Sequence, residues 1–128
     1  MNREELNSLS KIVVDSAFSV HKEMGPGLLE SIYELCLIKE FKLRGVNIRS
    51  QYSIPLMYKG YELSKDFRID ILVEDEIIIE LKTVEFVLPV HKAQIISYLK
   101  LADKRLGFLI NFNVPVLKEG IQRFVNNF

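Results

Sequence analysis

The stretch that decides the fold is FRIDILVEDEIIIELK, residues 67–82. Two apolar runs of strand-forming residues flank the acidic segment 74–76, which predicts two antiparallel strands joined by a hairpin loop. Each run carries charge where a core residue is expected: Asp70 interrupts the first, and Glu80 and Lys82 end the second. An unpaired charge in a buried strand is costly unless a partner or a metal ion compensates it. The hairpin therefore predicts a functional site.

The length of the loop determines which charges meet. If residues 74–76 form a three-residue loop, Asp70 lies directly across from Glu80, and Arg68 lies across from Lys82. Facing Cβ atoms in such pairs are about 4.5–5.5 Å apart, and like charges at that distance destabilise a sheet. A divalent cation between Asp70 and Glu80 reverses the sign of the interaction. Mg²⁺ prefers one or two carboxylates together with water and substrate phosphate, and Lys82 would then lie beside it.

A purely structural interpretation of the same charges is also open. Asp70 forms a salt bridge with Lys82 or Arg68 in that case, and Glu80 marks a strand end that reaches solvent. The motif Asp-x(n)-Glu-x-Lys is short, and these residues alone do not decide between the two interpretations.

The bulk composition limits the class of protein. A chain of 128 residues with 48% hydrophobic residues predicts one domain, residues 1–128, with a substantial core. Its 17 basic and 17 acidic residues cancel, so net charge provides no signal for nucleic acid or a membrane. The single cysteine, Cys36, cannot form an internal disulfide and is expected in the core, which favours the cytoplasm. No apolar run is long enough to span a bilayer.

Periodicity predicts two helices before the first strand. Residues 4–24 repeat apolar side chains at three- and four-residue spacing, and Gly25-Pro26-Gly27 ends the helix. A second helix is expected over about 28–44, with these residues toward the core: Leu29, Ile32, Leu35, Cys36, Ile38 and Leu43.

The remaining pattern completes an α/β fold. Strands are expected over residues 46–58, 66–73 and 77–83, with Lys59-Gly60 as a turn. A helix follows over 89–102, then a strand over 106–112 that is apolar on both faces, then a short helix holding Ile121 and Phe124. The predicted order is α-α-β-β-β-α-β-α, a single-domain sandwich with a mixed central sheet.

These segments resemble a known superfamily. An Asp on one strand and Glu-x-Lys on the next resemble the core of the PD-(D/E)XK nucleases, which has a restriction-endonuclease-like fold. Residues 27–33, GLLESIY, also match the pattern that names the GxxExxY protein family within that superfamily. The resemblance extends from about Val13 to Phe112 and includes PVHKAQIISYLK and LGFLINF. One departure is that Ile69, not proline, precedes Asp70.

The resemblance implies roles for individual residues. Asp70 and Glu80 correspond to metal-binding carboxylates, with the carbonyl of Leu81 and the side chain of Glu30 as further metal ligands. Lys82 corresponds to the catalytic lysine. The implied cofactor is Mg²⁺, with Mn²⁺ able to substitute.

The helix after Glu-x-Lys adds further candidates. Gln94 and Tyr98 resemble the Gln-x-x-x-Tyr motif of exonuclease domains of the RecB type, and they share a helix face. In that interpretation Gln94 supports the active site or the substrate backbone. Tyr98, His91 and Lys92 are expected to contact substrate. For Tyr98, a half-buried core position is the alternative.

Taken together, these features predict a Mg²⁺-dependent nuclease that hydrolyses phosphodiester bonds, with DNA favoured over RNA and no membrane partner. The alternative is a non-catalytic module that binds nucleic acid or protein on a nuclease scaffold. A homodimer is compatible with both. Phosphate binding needs basic side chains on one face, and the sequence leaves open whether they converge. The basic candidates are Lys82, Lys92, Lys100, Lys104 and Arg105, with Arg44, Arg49, Lys59 and Arg68 as another edge.

Overall fold

One five-stranded mixed sheet carries helices on both of its faces, as seen in a computed structural model that describes all 128 residues. The longer elements match the expected ones closely, although the second strand begins five residues earlier than expected. The elements are α1 (Arg3–Met24), α2 (Glu30–Leu43), β1 (Ile48–Tyr58), β2 (Tyr61–Val73), β3 (Ile77–Lys82), α3 (Pro89–Leu101), β4 (Leu106–Asn111), a 3-10 turn (Leu117–Glu119) and β5 (Ile121–Val125).

The order of strands in the sheet follows the order in the chain. β1, β2 and β3 form an antiparallel meander, α3 then crosses over so that β4 pairs parallel to β3, and β5 pairs antiparallel to β4. All six residues of β4 are buried. The predicted α/β sandwich with a mixed sheet and a restriction-endonuclease-like fold is confirmed.

Two hydrophobic clusters fill the space on either side of the sheet. The larger cluster joins α1 and α2 to one face, and includes Tyr33, Leu37 and Phe41 of α2. The smaller cluster joins α3 to the other face through Ile95 and Leu99. None of the three helices combines the length and the apolar character that a bilayer span requires.

The predicted last helix is wrong, because residues 121–125 form β5. Without β5, the buried strand β4 would leave a row of backbone donors and acceptors without partners, and pairing with β5 satisfies them. Gly120 begins this return: its carbonyl accepts the N–H of Asn111 at 2.8 Å. The stability of β5 comes from its pairing with β4, a contact between separate segments that local periodicity does not encode.

The predicted buried face of α2 is also wrong in part. Leu29, Leu35 and Leu43 are 72%, 65% and 70% exposed, and Ile32 also reaches solvent. The helix instead buries a stripe at four-residue spacing that contains two aromatic rings: Tyr33, Leu37 and Phe41. Aromatic side chains bury more apolar area than leucine, so this stripe takes the core side. Cys36 and Ile38 lie beside it, half-buried against the larger cluster, as expected for Cys36.

Candidate active site

The sheet opens on both sides of Asp70. The pairing of β2 with β3 follows the predicted register but ends at the pair Ile71–Ile79. On the other side, the pairing of β1 with β2 skips Gln51, the residue opposite Asp70. Gln51 has a positive φ of 50°. Ile69 packs on the α3 side of the sheet and Ile71 on the α1–α2 side, so the alternation of β2 is inverted at Asp70. Such irregularities in strands are enriched next to active sites.

The carboxylate of Asp70 bridges the opening between β2 and β3. Its Oδ2 accepts a hydrogen bond of 2.8 Å from the backbone N–H of Leu81. A continued ladder would have placed Leu81 opposite Ile69, so a side-chain oxygen replaces a strand contact. The ladder between β2 and β3 therefore contains neither of the two predicted facing pairs, Asp70–Glu80 and Arg68–Lys82. Glu80 nevertheless lies close enough to Asp70 for the charge of Asp70 to raise the pKa of Glu80.

Glu80 is the buried charge of the site. Its residue surface is only 4% exposed, and Oε1 is buried with no hydrogen-bond partner. Burial, followed by the close approach and negative charge of the Asp70 carboxylate, raises the pKa of Glu80 to about 10. Lys82 opposes this rise in the pKa of Glu80 only in part. In the absence of a cation, Glu80 is therefore protonated at neutral pH.

Leu81 and Lys82 complete the end of β3. The carbonyl of Lys82 accepts the N–H of Phe112 on the β4 side, whereas the N–H of Leu81 faces Asp70. Because the backbone groups of successive strand residues point to opposite sides, the carbonyl of Leu81 faces the same opening as its N–H. The side chain of Lys82 is half-buried and forms no ion pair within 4.0 Å. The predicted salt bridge between Asp70 and Lys82 or Arg68 is thus not formed.

Glu30 lies on the face of the sheet that α1 and α2 cover. It is the first residue of α2, and much of its side chain is open to solvent. Partial burial and then the charge of Asp70 raise the pKa of Glu30, while Lys82 lowers it. Glu30 therefore lies within electrostatic range of both residues. No three acidic, histidine or cysteine side chains are close enough to hold one ion together, so Glu30 does not form a three-carboxylate cage with Asp70 and Glu80.

α3 brings Gln94 and Tyr98 to the same place. The side-chain amide nitrogen of Gln94 donates to the hydroxyl oxygen of Tyr98 at 3.2 Å. Burial, followed by the charges of Glu80 and then Asp70, raises the pKa of Tyr98. The ring of Tyr98 also meets Phe67 edge-on, with centroids 5.8 Å apart. Tyr98 is thus both a half-buried packing residue and a neighbour of the two carboxylates.

The first turn of α3 holds the two remaining candidates. His91 accepts the N–H of Leu88 on its Nδ1 at 3.0 Å, which caps the start of the helix and leaves Nε2 unused. Lys92 is exposed and forms no ion pair. The structure thus shows a local structural contact for His91 and no protein partner for Lys92.

The basic residues do not converge as a single patch. Lys104 pairs with Asp75 at 3.4 Å and Arg105 with Glu76 at 3.6 Å, both at the hairpin loop, which lies at the opposite end of β3 from Lys82. Arg44 pairs with Glu40 on α2. Lys104, Arg105 and Arg44 are therefore engaged elsewhere.

One supporting residue, Asn111, was not predicted from the sequence, and a second, Tyr33, ends the motif GLLESIY and had been given no role. Asn111, buried at the end of β4, accepts the N–H of Val84 at 3.1 Å and donates to the carbonyl of Val84 at 2.9 Å, which holds the segment after Lys82. Tyr33 donates to the carbonyl of Gly25 and accepts the N–H of Leu28, which holds the loop before Glu30. A polar residue in the otherwise apolar run LGFLINF was the available signal for Asn111.

The donor set suits a small divalent cation. Two carboxylates and a backbone carbonyl are oxygen ligands of the kind that Mg²⁺ takes, with water and substrate completing the shell. Glu80 Oε1 is a buried oxygen without a partner, and such atoms are rare unless a ligand or ion satisfies them. Asp70 and Glu80 therefore fit a metal site.

Comparison with known proteins supports one assignment. A sequence model described as the PD-(D/E)XK nuclease superfamily matches residues 7–124, which is nearly the whole chain. Searches of curated proteins and of solved structures found no match.

Proposed function

Because the chain belongs to the PD-(D/E)XK nuclease superfamily, we propose that it is a metal-dependent nuclease that hydrolyses phosphodiester bonds in nucleic acid. The observation that carries this proposal is Glu80 Oε1, a buried oxygen without a partner next to the carboxylate of Asp70. A scaffold that had lost its chemistry would gain stability by replacing such a residue with an apolar one. This chain carries both carboxylates side by side despite that cost, which favours catalysis over a purely structural role.

Asp70, Glu80 and the carbonyl of Leu81 would hold the ion, Mg²⁺ or Mn²⁺. When bound, such an ion stabilises charge on the phosphate oxygens and lowers the pKa of a water molecule. Glu30, which lies in electrostatic range but not in a shared cage, would act through a water molecule. Because the N–H of Leu81 already orients Asp70, that carboxylate is fixed before a ligand arrives.

Lys82, together with Gln94 and Tyr98 of α3, would act on the substrate itself. Lys82 carries a positive charge with no protein partner, so it can position the attacking water and neutralise phosphate charge. Gln94 donates to the hydroxyl oxygen of Tyr98, so the hydroxyl proton of Tyr98 remains free to donate to a phosphate oxygen. Lys92 and the free Nε2 of His91 would contact neighbouring phosphates. We place the activity in the cytoplasm, since the only cysteine is unpaired.

The test is hydrolysis of labelled DNA and RNA, single- and double-stranded, by the wild-type protein with Mg²⁺ or Mn²⁺ and with EDTA. We expect cleavage with metal only, with DNA the better substrate. Glu80→Gln and Lys82→Ala should each abolish it. Glu85→Gln removes an exposed carboxylate from the loop after β3 and should leave cleavage unchanged.

Thermal melting in the same buffers distinguishes the nuclease from the alternative, a non-catalytic binding module. An ion that binds only the folded protein raises the free energy of unfolding, by about 2.7 kcal/mol at a hundredfold excess over Kd, and therefore raises the melting temperature. A melting shift that is lost in Glu80→Gln, with no cleavage of any substrate, would establish a non-catalytic binding module. No shift and no cleavage would refute the metal site.

A further inference from the structure

A cleft opens beside the proposed catalytic residues. It has a volume of about 530 Å³ and is lined by Gly27, Leu28, Leu29, Ile32, Thr83 and Asn113. Two of its walls adjoin the site in the chain: Thr83 follows Lys82 directly, and Leu29 precedes Glu30 directly. Glu30 lies within electrostatic range of Asp70 and Lys82, so the cleft beside it adjoins the site.

The chemistry of the lining is unlike that of a phosphate-binding groove. No charged side chain lines the cleft, and its only polar side chains are those of Thr83 and Asn113. Apolar walls with a few neutral hydrogen-bonding groups, in a volume of about 300–1,000 Å³, are typical of sites for small organic groups. The group that a nucleic acid strand presents beside its phosphates, and that has this character, is a base.

The segment after Thr83 offers a second apolar surface. Phe86 is 70% exposed and lies three residues further on, so its Cα is within roughly 11 Å of that of Thr83 even in extended chain. The segment is held at Val84 by both side-chain groups of Asn111. An exposed aromatic ring on an anchored segment is a platform on which bases stack.

We propose that this cleft binds the unpaired base next to the scissile phosphate, so that the protein acts on single-stranded nucleic acid or unpaired ends; the proposal rests on the proposed nuclease function. A base in a duplex is stacked and paired, and must be extruded before it can enter such a cleft. Gly27 lines the cleft, and a Cβ atom added there would meet no atom within 4 Å, so the cleft is open at this residue.

The test is binding in EDTA, where no cleavage occurs. Two fluorescent strands of equal length are compared by anisotropy at one salt concentration: a thymidine strand and a strand in which every base is replaced by an abasic analogue. Both carry the same phosphates, so they differ only in their bases. We expect the thymidine strand to bind about five- to tenfold more tightly, the gain from burying a small apolar area.

Two matched variants locate the effect. Leu29→Asn removes an apolar wall and leaves a residue that is favourable at the N-cap position that Leu29 occupies. Leu35→Asn makes the same change on an exposed residue of α2 outside the cleft. Leu29→Asn should remove most of the preference for the thymidine strand, whereas Leu35→Asn should retain it. Equal binding of both strands, no binding of either, or equal effects of both variants would overturn the proposal.

Hydrolysis of bis(p-nitrophenyl) phosphate, which carries no base, keeps this outcome separate from that of the proposed function. Metal-dependent hydrolysis of this diester without a preference for the thymidine strand would refute the cleft and leave the nuclease standing. A base preference that Leu29→Asn removes, without metal-dependent cleavage of any DNA or RNA strand or of the diester, would refute the nuclease and support the cleft.

Discussion

Asp70 Oδ2 accepts the backbone N–H of Leu81 at 2.8 Å, and this hydrogen bond stands where a strand contact would otherwise be. The consequence is that β2 and β3 separate without leaving the N–H of Leu81 unsatisfied. Asp70 therefore has a structural role in addition to the metal-binding role that we propose. The two roles depend on different properties of the side chain, namely an acceptor oxygen and a negative charge.

Two substitutions separate these roles. Asp70→Asn keeps an acceptor oxygen for Leu81 and should change the free energy of unfolding little, but it should abolish stabilisation by Mg²⁺. Asp70→Ala leaves the N–H of Leu81 without its partner and should lower the free energy of unfolding by about 1–3 kcal/mol relative to Asp70→Asn. Urea unfolding with and without metal measures both effects. If the two variants were equally stable without metal, the hydrogen bond would not be holding the opening.

The pH dependence of stability follows from Glu80. The pKa of Glu80 is 4.5 for a free glutamate side chain, which represents the unfolded chain, and about 10 in the folded protein. Between these pH values the folded protein therefore holds a proton that the unfolded chain has released. Stability without metal must therefore fall as the pH rises through this window, by at most about 1.4 kcal/mol per pH unit from this group. Thermal melts across the window should show this decline, and Glu80→Gln should remove most of it.

Metal binding has the opposite dependence on pH. The ion requires an ionised Glu80, so binding releases the proton and the affinity for Mg²⁺ should rise with pH, by up to about tenfold per unit. A metal titration monitored by the melting temperature at several pH values measures this slope. Glu85→Gln is the control and should keep it. An affinity independent of pH would mean that the ion does not displace the proton of Glu80.

The sequence predicted the register of the central hairpin because it depends on a short loop, and residues 74–76 do form that loop. It did not predict that the ladder would end at Ile71–Ile79, because a side-chain acceptor on Asp70 replaces a strand contact. β5 was missed for a related reason: its stability comes from the edge of β4, many residues away. On α2, leucines and aromatics offered competing apolar stripes, and only the packing against α1 and the sheet decided between them.

Tyr33 provides a test of the loop that precedes Glu30. Tyr33→Phe keeps the stacking on Phe112, whose centroid is 4.5 Å away, but leaves the carbonyl of Gly25 and the N–H of Leu28 without their partner. We expect a loss of about 1–3 kcal/mol in the free energy of unfolding. Tyr61→Phe, at a residue 74% exposed, removes a hydroxyl without such contacts and should change stability little. Equal losses in both variants would show that Tyr33 does not anchor the loop.

Gly107 determines how closely α3 approaches the sheet. A Cβ atom added there would lie 3.1 Å from Ile95 Cδ1 and 3.3 Å from both the carbonyl oxygen of Ile78 and Leu99 Cδ2. Gly107→Ala should therefore cost about 1–3 kcal/mol through overpacking. Ile95→Val removes the nearest atom, at a cost of about 0.5–1.5 kcal/mol by itself. Because the added and the removed groups compete for one space, the double variant should be more stable than the sum predicts, by at least about 0.5 kcal/mol in a urea-unfolding cycle. Strict additivity would show that α3 moves away from the sheet instead, and such a movement would also carry Gln94 and Tyr98 away from Glu80.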